Sequence, residues 1–172
     1  MKKIQEAYNY LFYILYKRGQ RSNTIFPYDF IASLYILIME ILIISSFTNY
    51  YNIISNTDSG ILSNKIWALI VILLVVIDYI ILHYKDQWKF KIQQFDNLPI
   101  EKNTKGKKIV YFFIIIIVFN FILSFYIIFA KAKINQTGPY APEIVAKEKR
   151  DDSLQKAQQI ENLKKIYGED KK

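Results

Sequence analysis

Apolar residues collect in three long blocks along this chain, and polar residues collect between them. The central block, Trp67 to Tyr84, is nearly unbroken and carries a single acid, Asp78. About 20 apolar residues rising 1.5 Å each cover a ~30 Å hydrocarbon core, so this block predicts a transmembrane helix. The blocks on either side predict two more. The spans are expected at residues 30–47, 66–84 and 109–130. The expected fold is therefore all-α, an integral membrane protein whose bundle occupies residues 30–130.

The flanks carry a different pattern. In residues 1–21 a polar stripe of Lys2, Glu6, Asn9, Tyr13 and Lys17 faces an apolar side of Ile4, Tyr8, Leu11 and Leu15. That spacing predicts an amphipathic helix, either lying in the headgroup region or packed on the protein's own loops. Asn56-Thr-Asp-Ser-Gly60 carries turn chemistry, and Asn103-Thr-Lys-Gly106 reads as a second turn. Beyond span two, Tyr84, Trp88, Ile92 and Phe95 recur at helical spacing, so the helix is expected to continue until Asn97-Leu-Pro99 ends it. Residues 131–172 open with a breaker cluster, Asn135 to Pro142. A charged helix follows from Glu143 to Tyr167, with Leu154, Ala157, Ile160, Leu163 and Tyr167 on a narrow stripe and Gly168 as its stop.

Charge sets the orientation. Five Lys or Arg residues precede span one, one (Lys65) lies in the first linker and seven lie in the second. This alternation predicts a cytoplasmic N-terminus and second linker, and a C-terminus outside. The bias toward Ile, Lys, Asn and Tyr points to an AT-rich bacterial genome and hence to the bacterial inner membrane. The chain has no cysteine and one histidine, His83. A disulfide framework, a Cys-ligated metal and a thiol nucleophile are excluded, and neither cofactor nor metal is expected. No phosphate-binding Gly-rich loop, G-x-S-x-G or H-E-x-x-H is present. The expectation is a non-enzyme.

The residues of chemical interest are polar groups at membrane depth: Glu40 in span one, Asp78 in span two and Asn120 in span three, with His83 and Trp88 at the membrane edge. Ionised groups there are costly and usually face a bundle interior. No Lys or Arg lies at that depth, so Glu40 is expected to sit protonated. By helix rise, Glu40 and Asn120 both lie about 15 Å from the cytoplasmic side. They are expected to hydrogen-bond across helices, while Asp78 reaches hydrated headgroups or the Tyr84/His83 rim. Helix-to-helix glue, a proton or ion pathway and contact with a partner helix all fit such residues. The partners expected are the bilayer, a protein and, alternatively, further copies of the chain in a homo-oligomer. Trp88, Phe90 and Phe95 interleave with lysines, but juxtamembrane segments share that pattern, so no nucleic acid is expected.

Phe26-Pro-Tyr-Asp-Phe through Leu-Ile-Met-Glu40, then His83-x4-Trp88 with Phe95-Asp96-x2-Pro99-x3-Asn103-x2-Gly106, then Asn120-Phe-x2-Ser124-Phe-Tyr126, together resemble a group of small uncharacterised three-span bacterial inner-membrane proteins. The likeness covers roughly residues 5 to 130 and stops at Lys131. Members look like products of short genes beside those of large secreted toxins, and the resemblance therefore implies an immunity-type role. The two functional expectations are a non-catalytic protein that protects or partners, of immunity or envelope-complex accessory type, and a small oligomeric transport or proton-conducting subunit.

Overall fold

A computed structural model describes residues 2–22, 24–55 and 64–168. It is all-helical, with no strand among the described residues. The helices are α1 (Lys2–Gly19), α2 (Tyr28–Ser55), α3 (Asn64–Asp78), α4 (Gln87–Asp96), α5 (Ile100–Asn135) and α6 (Pro142–Tyr167). Three helical stretches are long and apolar enough to cross a membrane: Tyr28–Ser55, Lys65–Asp96 and Ile100–Tyr140. Each contains one expected span and runs beyond it. The turn expected at Asn56–Gly60 lies outside the described residues. The chain divides into two compact units, Met1–Phe125 and Tyr126–Lys172.

In the first unit, the wide apolar faces of α3 and α5 remain exposed, including Leu69, Ile72, Leu73, Phe112, Phe119 and Ile122. Water would make such surfaces unfavourable, whereas lipid as solvent leaves them at no cost, which is compatible with a multi-pass membrane protein. Burial is confined to narrow seams. On α5 it falls on Val110, Ile117 and Ser124, seven residues apart, the repeat that keeps one side of a helix against its neighbours. Asn49 Nδ2 donates to Ser124 Oγ at 3.0 Å, within the part of α2 that extends past the expected span.

The amphipathic segment α1 packs on the protein itself. It runs antiparallel to α2: Gly19 lies against Tyr28 at one end, and about three turns further in, Tyr8 reaches Glu40. Phe12, Tyr13, Ile14 and Leu15 are all buried, as is Asn9, while Ile4 is 77% exposed. The polar stripe read from the sequence is thus partly an inner face, because the hydroxyl of Tyr13 finds a partner there.

The helix expected to run unbroken from span two into α4 is interrupted. Tyr79–His83 forms a π-helical turn, Tyr84–Asp86 a 3-10 turn, and Lys85 and Asp86 both adopt left-handed backbone at φ 56°. Such bulges bend a helix sharply. The bend swings α4 onto α1, where Ile92 and Phe95 become buried and Tyr84 is left half-exposed. Pro99 separates α4 from α5 as expected.

Asn103–Gly106 is not a turn but part of the opening turns of α5. Glycine serves close approach here. A Cβ on Gly106 would fall 2.5 Å from the Tyr10 hydroxyl oxygen, which itself donates to Asn103 Oδ1 at 3.0 Å. Gly106→Ala is expected to destabilise by about 1 kcal/mol, since overpacking of ~1–3 kcal/mol outweighs a helix-propensity gain of ~1 kcal/mol. In a Tyr10→Ala background the same change should stabilise. Thermal melting of the four chains gives the two signs.

In the second unit, α5 ends where Gln136 turns left-handed (φ 53°) and the Thr137 N–H bonds the Ala132 carbonyl at 2.9 Å, closing the last turn. Pro142 opens α6, where its missing N–H costs nothing. Gly168 closes it in left-handed geometry, as its sequence position predicts.

Candidate functional site

Glu40 lies midway along α2 and Asp78 at the last residue of α3. The third member, Tyr8, comes from α1. Its Oη lies 3.1 Å from Glu40 Oε1 and also hydrogen-bonds Asp78 Oδ1. Asp78 is buried at 5% exposure. Burial first, then the bonded Asp78 carboxyl, hold the Tyr8 phenol well above its ordinary value, so Tyr8 keeps its proton. A phenol carries one hydrogen and can give it to one carboxyl at a time. Satisfying both contacts requires a proton on one carboxyl, which then donates back to Oη. The second oxygen of Glu40, Oε2, is buried and has no hydrogen-bond partner among the described residues.

His83 sits in the π turn that follows Asp78. Its Nε2 lies 2.8 Å from Ser33 Oγ, its ring stacks on Tyr79 at 6.2 Å, and Phe12 meets it edge-on at 6.1 Å. Trp88 joins the same aromatic cluster, 5.6 Å from Tyr16 and 6.4 Å from Phe12. A groove of about 320 Å³ runs beside α2 and α3, lined by Asp29, Ser33, Leu37, Asp78, Tyr79 and His83.

Two expectations change here. Glu40 does not bond Asn120. α1 occupies the space against Glu40 and supplies Tyr8, whereas Asn120 Oδ1 accepts from Tyr50 at 2.7 Å on an exposed side of α5. Asp78 is buried under Tyr8 rather than turned to hydrated headgroups, yet it still lines the groove beside Tyr79 and His83. The sequence brings Glu40 and Asp78 to notice as lone acids, but Tyr8 gives little signal. It reads as one more residue of an apolar stripe.

A second polar node ties α1 to α4 and α5. Tyr13 Oη donates to Asp96 Oδ1 at 3.0 Å and Lys17 Nζ to Asp96 Oδ2 at 2.9 Å. Burial, then the bond to Asp96, push the Tyr13 phenol up to about 12, and burial raises Tyr10 as well. Among the described residues, no three His, Asp or Glu side chains converge to hold a metal ion. The residues therefore define a helical bundle in which a carboxyl–phenol–carboxyl cluster joins α1, α2 and α3. Compared with family models, curated proteins and solved structures, the chain matches none.

Proposed function

We propose that this chain is a non-catalytic membrane protein that acts through a protein partner, as an immunity-type factor or an accessory subunit of an envelope complex. The observation that carries the reading is α6. Within its unit this 26-residue helix presents Leu154, Ile160, Leu163 and Tyr167 exposed on successive turns. The pairs Lys156–Asp152 (3.0 Å) and Lys165–Glu161 (2.7 Å) keep the flanks helical and soluble. An apolar stripe bordered by charge suits a helix that beds into a partner's groove. Tyr8 with Glu40 and Asp78, Tyr50 with Asn120, and Asn49 with Ser124 support the same reading, because those polar groups are spent on joining helices. The distribution of Lys and Arg supports α6 outside and the N-terminus in the cytoplasm, and the bias toward Ile, Lys, Asn and Tyr supports a bacterial inner membrane. Deleting residues 143–172, or placing charge on the stripe through Ile160→Asp and Leu163→Asp, is expected to cut recovery of a cross-linked partner roughly tenfold, a loss of ~1.4 kcal/mol. Quantitative mass spectrometry reads that recovery, with membrane insertion unchanged. Equal recovery from both variants and the parent would remove α6 as the dock.

A second reading rests on the groove beside Asp78. Asp29, the Ser33–His83 pair and Asp78 line it, and Glu40 with its unpartnered Oε2 lies beyond Tyr8. Groups so arranged suit proton transfer within an oligomer of this chain. In that case Glu40→Gln abolishes proton flux in reconstituted vesicles. Full flux in the variant rules the pathway out.

A further inference from the structure

Where the end of α1 meets the start of α5, the first unit holds a cleft of about 740 Å³, a volume within the range of small-molecule sites. Lys17, Arg18, Arg21 and Lys107 line it, against a single carboxylate, Asp96. That carboxylate is already committed, since it accepts from Lys17 at 2.9 Å and from Tyr13 at 3.0 Å. Tyr13 keeps its proton and adds no negative charge. Among the described residues Arg18, Arg21 and Lys107 stand in no ion pair. Lys107 lies over the Tyr111 ring at 5.9 Å, which holds it toward the cleft wall.

We propose that this cleft binds a phosphate-bearing anion. Two guanidinium forks match phosphate oxygens in pairs, and a lysine adds a compact third charge. Ile14, Leu98 and Ile100 add apolar lining to the same cleft. This combination of basic and apolar lining fits the phosphate of an anionic lipid, and it also fits a small soluble phosphate ester. A basic segment that only fixes topology would not need this convergence. Lys102, Lys105 and Lys108 of the same helix end are exposed and do not line the cleft. Lys107 alone among them does.

The test uses the full-length chain in detergent and native mass spectrometry, with phosphatidylglycerol as the probe and phosphatidylcholine as the zwitterionic reference. Arg18→Gln/Arg21→Gln/Lys107→Gln is compared with Lys102→Gln/Lys105→Gln/Lys108→Gln, which removes the same charge outside the cleft. The expected result is retention of phosphatidylglycerol over phosphatidylcholine by the parent and the outer variant, with at least a tenfold loss in the cleft variant. The single variant Arg21→Gln, in the exposed turn after α1, should give part of that loss and guards against misfolding of the triple. Competition with millimolar inorganic phosphate identifies the source. Displacement assigns a soluble phosphate and persistence assigns the lipid, and both outcomes support the site. Equal loss in the two triples, or no preference for phosphatidylglycerol in the parent, overturns it.

Discussion

Phe12→Ala is expected to destabilise the solubilised protein by roughly 3–5 kcal/mol, the usual cost of removing a fully buried aromatic ring. For a chain of this size that is a fall in thermal midpoint on the order of 10 °C. Phe12 is 1% exposed and stands where α1 meets the bend between α3 and α4. Its ring stacks on Tyr16 at 6.3 Å and meets His83 and Trp88 edge-on. Truncation therefore empties a space bounded by α1, the π-helical turn and α4. Phe12→Leu, which keeps most of the volume, should cost under half as much. In a Trp67→Phe background, Trp88 fluorescence during heating in detergent reports both the midpoint and the loosening of the bend. A cost below about 1 kcal/mol for the alanine variant would mean that α1 is not seated on the bend.

Tyr8→Phe is the second large effect, about 2–4 kcal/mol. It deletes one oxygen and leaves the buried Asp78 and the half-buried Glu40 carboxyls without their donor, each worth ~1–3 kcal/mol. Glu40→Gln should cost less, because its amide can donate where the carboxyl accepted. The decisive measurement is a double-mutant cycle in an unfolding titration, with Tyr8→Phe and Glu40→Leu made singly and together. Coupling of at least ~1 kcal/mol is expected for groups in direct contact. Strict additivity would separate Tyr8 from Glu40 and dissolve the cluster.

How much of this was legible from the chain differs from one element to the next. The three long apolar helices are written in the sequence, because a helix able to cross lipid needs a long apolar run whatever the rest of the protein does. Pro99 and Gly168 end their helices through backbone geometry alone, so they too can be read locally. Tyr8 cannot. Its partners lie 32 and 70 residues away, and no local spacing encodes them. The same holds for Asn103 and Gly106, whose residue types signal a turn in isolation but receive Tyr10 within a helix. The bend at Lys85 and Asp86 carries no glycine or proline to announce it. Tertiary packing of α4 on α1 offsets the left-handed backbone there.

The partners of α1 also set an order of assembly. Tyr8 needs Asp78, Tyr13 needs Asp96 and Tyr10 needs Asn103, separations of 70, 83 and 93 residues. At ~5–20 residues per second, the first segment made waits roughly five to twenty seconds before its seat exists. During that interval Phe12, buried in the finished fold, lacks His83 and Trp88 as neighbours. The helix that comes first in the chain is therefore the one whose polar contacts close last.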